Sequence, residues 1–125
     1  MEENEISRGV VDACLQIHSA LGPGLLESVY QACMEQELTA RNLPFLSQVV
    51  KPVRYRNVSL SIGFRLDMVV AGKVVLEFKT VEALLPVHRA QLLSYLRLGG
   101  YRLGLLLNFN TVRMRDGIKR VVNAL

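Results

Sequence analysis

Apolar residues recur at helical spacing near the start of the chain and alternate with polar ones from Phe45 onward. Ile6, Val10, Ala13, Ile17 and Leu21 define a helix over residues 5 to 20, with Glu5, Arg8, Asp12, Gln16 and Ser19 as its polar stripe. Gly22-Pro23-Gly24 ends it. A second helix is predicted from about Leu25 to Arg41, apolar at Leu26, Tyr30, Cys33, Met34 and Leu38, with Ser28, Gln31, Glu35 and Thr39 on its outer side. Phe45 to Tyr55 then reads as a strand in which Pro52 marks an edge position or a bulge. Arg56-Asn57 is a turn, Val58 to Val70 a second strand, and Lys73 to Lys79 a third. Pro86 opens a third helix to about Leu98, closed by Gly99-Gly100. Leu103 to Phe109 is apolar almost throughout, as in a strand covered on both faces. Val112 to Met114 and Ile118 to Val122 flank Asp116-Gly117, a hairpin signal, with a short helix as the alternative. The order ααβββαβ plus a C-terminal hairpin implies an α/β (α+β) fold, a mixed central sheet flanked by helices, and one domain over residues 1–125.

Composition narrows the classes. Half of the 125 residues are hydrophobic, which excludes a disordered tail. The uncharged runs Ala13 to Leu26 and Leu103 to Val112 are too short for a helical span, so no membrane is expected. The acidic start, Met1-Glu2-Glu3-Asn4-Glu5, is unlike a signal peptide. Cys14 and Cys33 sit in apolar helical patterns and read as free thiols, hence a cytoplasmic chain without structural zinc. There is no Gly-rich phosphate loop and no dinucleotide fingerprint, so small-molecule enzyme classes lack support.

The acids are few and unevenly placed. Glu2, Glu3, Glu5, Asp12 and Glu35 read as solvated charges, but Asp67 and Glu77 fall in strands of Val, Leu and Phe. A buried carboxylate needs a partner or a metal. If Asp67 and Glu77 lie opposite each other, residues 70 and 74 also pair, leaving the three-residue turn Ala71-Gly72-Lys73 with Gly72 in the left-handed region. The carboxylates are then neighbours, roughly 5 Å apart at Cβ, and Lys79 shares their face. Mg²⁺ or Mn²⁺ would relieve their repulsion and draw further ligands from water and phosphate. A Lys beside them can serve an attacking water or a developing charge. An ion pair of Lys79 with Glu77 or Asp67 on a wet sheet face is the alternative.

His88, Gln91 and Tyr95 share one face of the third helix and could lie over the carboxylates, or be a hydrogen-bonded boundary face. Glu27, in the first turn of the second helix, is by itself better explained by the helix dipole and capping.

Together these residues resemble the PD-(D/E)xK nuclease superfamily, and within it the small proteins named for a GxxExxY motif. Gly24-Leu25-Leu26-Glu27-Ser28-Val29-Tyr30 fits that motif, after a leader running from Ile17 and His18 to Gly24. Asp67 and Glu77-Phe78-Lys79 match the acid and ExK elements, and Gln91 with Tyr95 the QxxxY pattern of RecB-like members. Asn108-Phe109 and Asp116-Gly117-Ile118 resemble the family's tail. Leu66 stands where the superfamily name has Pro. The resemblance implies a restriction-endonuclease-like core and a Mg²⁺- (or Mn²⁺-) dependent phosphodiesterase. Glu27, Asp67 and Glu77 would ligate metal, Lys79 would serve the nucleophilic water, Gln91 would support the site, and His18, Tyr30, His88 and Tyr95 would flank it.

Charge agrees with a nucleic-acid partner. The net charge is +4, 11 of the 15 basic residues are Arg, and the first 50 residues hold only Arg8 and Arg41. Arg65, Arg89, Arg113 and Arg115 are the candidate phosphate contacts, with Arg113 expected opposite Arg120 in the hairpin. Tyr55 and Tyr101 could stack on bases or belong to the core. A silent nuclease-like module that binds nucleic acid or a protein, or a homodimer covering an exposed apolar patch, are the alternatives to an enzyme.

Overall fold

A computed structural model describes residues 1–125. Helices α1 (Glu3–Leu21) and α2 (Glu27–Ala40) precede strands β1 (Phe45–Tyr55), β2 (Val58–Val70) and β3 (Val74–Lys79). Helix α3 (Pro86–Gly99), β4 (Leu103–Asn108), a 3-10 turn (Met114–Gly117) and β5 (Ile118–Val122) complete the fold. The five strands form one mixed sheet in the order β1-β2-β3-β4-β5, parallel only between β3 and β4. No helix is long and apolar enough to cross a membrane.

Alternation sorts the sheet into two faces. Met68, Val70, Val74, Leu76, Phe78, Leu103, Leu105 and Leu107 pack against Ile6, Val10, Ile17, Tyr30, Met34 and Leu38 of α1 and α2. Val69, Val75, Leu106 and Val121 pack against Leu92 and Leu96 of α3. Covered on both faces, β3 and β4 are buried almost throughout, which is why their sequences read as continuous apolar runs.

Turn chemistry follows the expected register. Val70 pairs with Val74, and the turn between them is made by Ala71 (φ 52°) and Gly72 (φ 68°). Tyr55 pairs with Val58 across Arg56 and Asn57, both in the left-handed region. Pro52 lies on the edge strand beside a register shift, where its missing N–H costs no ladder bond. Gly22-Pro23-Gly24 is held by Tyr30, fully buried and stacked on Phe109 at 4.3 Å, whose hydroxyl donates to the Gly22 carbonyl at 2.6 Å and accepts from the Leu25 N–H at 3.2 Å. Both cysteines are free, and burial pushes the Cys14 thiol up.

Three expectations are corrected. The C-terminal hairpin does not form: residues 114 to 117 make a 3-10 turn, and β5 pairs with β4, placing Arg120 opposite Leu105 rather than Arg113. Gly117 is there for close approach, since a Cβ would sit 2.0 Å from the Asn108 carbonyl oxygen. Gln31 and Glu35 are not on an outer side: α2 lies over the sheet, where Gln48 donates to Gln31 at 2.9 Å and the Ser47 hydroxyl donates to Glu35. Glu3 is buried as well, so neither it nor Glu35 is a freely solvated charge.

Candidate nuclease site

The ladder between β2 and β3 ends at Met68 and Leu76. Beyond it β3 stays paired with β4 as far as Lys79 and Asn108, while β2 stays paired only with β1. The two strands open into a fork, and Asp67 and Glu77 are the next residue on each arm. Their carboxylates replace the lost ladder bonds. The Phe78 N–H donates to Asp67 Oδ2 at 2.9 Å, and the Asp67 N–H makes a long bond to Glu77 Oε1 at 3.4 Å.

A kink aims Asp67 into the fork. Gln48, opposite Asp67, has φ 54° and drops out of the β1–β2 ladder, although the register is the same on either side. Phe64 and Leu66 nevertheless join the α3-side cluster with Val69 and Val75, so the alternation of β2 slips by one position at Asp67. From α2, Gln31 donates to the Asp67 carbonyl at 3.4 Å and spans to Gln48, tying both kinked residues to one helix.

Since Leu76 and Phe78 face α1 and α2, alternation turns Glu77 and Lys79 toward α3. Glu77 is only 7% exposed, and its carboxyl is pushed up to about 9, chiefly by burial and then by the Asp67 charge, with Lys79 pulling the other way. Burial beside a second carboxylate thus favours its protonated form in the metal-free protein. Tyr95 of α3 stacks on Phe64 at 5.0 Å. Its phenol is pushed up by desolvation and by the charges of Glu77 and Asp67, so it stays a hydrogen-bond donor beside them.

The structure thus brings together Asp67, Glu77, Lys79 and Tyr95. It does not bring every expected residue with them. Glu27 is exposed in the first turn of α2, one turn before Gln31, and no third His, Cys, Asp or Glu joins the acidic pair as a ligand cluster. Gln91 is exposed, one turn before Tyr95. His88 Nδ1 caps α3 by accepting from the Leu85 N–H at 3.0 Å, and His18 Nε2 meets the Thr111 carbonyl at 2.8 Å. Tyr30 holds the α1–α2 turn, as described above. Arg65 is on β2, Arg89 in the first turns of α3, and Arg113 and Arg115 at the 3-10 turn; none has a carboxylate partner, the only ion pairs being Arg41 with Asp12 and Glu37.

Asn108 has a role that sequence reasoning missed. It is 1% exposed, accepts from the Val81 and Asn110 N–H groups at 3.1 and 3.2 Å, and donates to the Val81 carbonyl at 3.0 Å. It thereby fixes the loop that leaves Lys79 and leads to α3. Its signal was a lone amide ending an apolar strand. Asn108→Ala is expected to cost about 1–3 kcal/mol, because it strands buried main-chain groups. Urea unfolding measures this, and a loss below about 0.5 kcal/mol would mean that water replaces the amide.

A family model for the PD-(D/E)XK nuclease superfamily matches residues 4–121. The chain belongs to this superfamily, and its five-strand mixed sheet flanked by helices is the corresponding restriction-endonuclease-like fold. A solved structure, "Crystal structure of SSO0001", is similar in fold at a TM-score of 0.59 and 21% identity. The match covers 79% of this chain and 51% of that one, so this chain spans about half of the solved relative. No curated protein matches the sequence.

Proposed function

We propose that this chain is a metal-dependent nuclease that hydrolyses phosphodiester bonds at the Asp67–Glu77–Lys79 fork, and that it belongs to the GxxExxY group through Gly24, Glu27 and Tyr30. One observation carries the reading: a superfamily member sets a buried Glu77 beside a half-buried Asp67, with Lys79 on the Glu77 face, where β2 and β3 part.

The donor set fits Mg²⁺ or Mn²⁺, the ions such nucleases generally use. Asp67 and Glu77 offer hard oxygen ligands whose mutual repulsion a dication removes. They would hold the ion, its other ligands coming from water and phosphate, while Glu27 stays on the exposed first turn of α2. When bound, it supplies charge neutralisation at the phosphate and a more acidic water. The chain's own groups do the rest. Lys79 takes part in moving the water's proton and offsets charge that develops on phosphoryl oxygen. Tyr95, kept protonated, would offer its hydroxyl as a hydrogen-bond donor to the substrate there. Gln91 orients substrate or water from the preceding turn of α3.

The test is incubation with single- and double-stranded DNA and RNA in Mg²⁺ or Mn²⁺, with EDTA and Lys79→Ala as controls. Cleavage that needs the ion and Lys79 is expected. Binding without cleavage on every substrate would instead establish a silent nuclease-like module.

A further inference from the structure

The two strands of the ribbon that leaves the fork have no covering layer at their far end. From Arg54 to Ile62 every residue is exposed, and β3 no longer pairs with β2 there. The base of the ribbon leans on α3 and the segment after it, through Phe64 on Tyr95 and the Lys51 ammonium 5.5 Å from the Tyr101 ring centre. Beyond that it runs free to the turn at Arg56 and Asn57. At about 3.3 Å per residue, the turn stands roughly 30 Å from Asp67.

Its chemistry is one-sided. No acid occurs between Glu37 and Asp67, while β1, the turn and β2 carry Lys51, Arg54, Arg56 and Arg65. None of these four is in an ion pair. Register sets Arg54 opposite Ser59 and, on the other side of the shift between Pro52 and Arg54, Val50 opposite Arg65. The other face of β2 shows Val58, Leu60 and Ile62, which are 57%, 43% and 76% exposed.

We propose that the β1–β2 ribbon is an arm for double-stranded DNA, laid along a groove so that Arg54, Arg56 and Arg65 take phosphates up to about one helical turn from the fork. The major groove of B-DNA admits a two-stranded β-ribbon. A reach of roughly 30 Å is close to the turn length of about 34 Å. The Val58, Leu60 and Ile62 row would meet sugars and base edges, as apolar side chains do in groove binders. A second copy is a poorer occupant, because a two-fold contact would set the same unpaired cations against themselves. The proposal rests on the nuclease reading only for where the DNA continues, past Asp67 and Glu77.

The test is fluorescence anisotropy in EDTA, with labelled duplex DNA of about 40 base pairs, single-stranded DNA of equal length, and a duplex of about 8 base pairs that cannot span fork and tip. Arg54→Gln/Arg56→Gln/Arg65→Gln alters only exposed side chains, and an unchanged melting temperature verifies its fold. It is expected to bind the long duplex at least about tenfold more weakly and to lose roughly 2–3 from the slope of log K against log salt. The short duplex should show little change. Equal losses on single strands, or an unchanged slope on the long duplex, would overturn the arm. So would an Ile62→Ser variant that splits a dimer in sedimentation while the Arg variant binds like wild type. The nuclease reading is scored separately: cleavage with a salt slope that ignores the ribbon sinks only the arm. A ribbon-dependent slope without cleavage in any divalent ion sinks only the enzyme.

Discussion

Lys79→Ala is expected to lower metal-dependent cleavage by about two to three orders of magnitude while leaving metal binding in place. Glu77→Gln is expected to remove both. The difference follows from what each side chain does in the fork. Glu77 is buried beside Asp67, and the two carboxylates are the groups that would hold a dication. Exchange for an amide keeps the shape and the contact with the Asp67 N–H but leaves a group that cannot give up a proton to become an anionic ligand. Lys79 is half-buried at the end of β3, where its ammonium faces the acids without being one of the metal's ligands. Single-turnover cleavage gives the rate, and the rise of melting temperature with added Mn²⁺ gives binding. If Lys79→Ala abolishes the metal-induced rise as completely as Glu77→Gln does, the division of roles is wrong.

The second large effect is a pH dependence of folding with an unusual sign. Most carboxylates that matter to a fold are held below their ordinary range and stabilise it as pH rises. Glu77 is held above, at about 9 against an ordinary 4.5. Between these values the folded chain keeps a proton that the unfolded chain has lost. Its contribution is complete below pH 4.5, falls as pH rises, and is gone above about 9. In EDTA, wild type should therefore lose stability relative to Glu77→Gln by up to about 1.4 kcal/mol per pH unit across that window. Added Mg²⁺ should oppose the loss increasingly at higher pH, since the ion competes with the proton for the same oxygens. Urea unfolding of both proteins from pH 5.5 to 9 decides it. A wild-type minus variant difference that stays flat would show that Glu77 is already ionised in the folded protein.

Much of the site's framework was legible because it follows from periodicity. The span of β1 and β2, the Ala71-Gly72-Lys73 turn and the Val70–Val74 register are consequences of period-two alternation and left-handed turn residues, and they leave Asp67 and Glu77 as the first residues beyond the ladder. The C-terminal hairpin failed for a reason outside that logic. Asp116-Gly117 is a local signal, but the apolar edge of β4 offered β5 a better partner, and Gly117 serves contact with Asn108 rather than a turn. The kink was hidden because neither Gln48 nor Asp67 is a residue that announces a bulge; it depends on Gln31 reaching across from α2. For the same reason α2 looked as if its polar stripe met water. His18 and His88 are examples of chemistry-bearing residues doing structural work, one anchoring a loop and the other a helix start. A sequence shows which side chains could act, but not which main-chain groups already claim them.

The slip of alternation at Asp67 also separates two parts of one strand. On the fork side, β2 is locked to β3 by Val70 and Val74; on the other, its only strand partner is β1, and past the Phe64 contact with Tyr95 nothing else holds it. Residues could be gained or lost in matched pairs near the Arg56-Asn57 turn without rotating Asp67 away from Glu77. The length of the projecting ribbon is therefore a variable that selection or an engineer can adjust independently of the chemistry, much as a ruler can be cut without moving its zero.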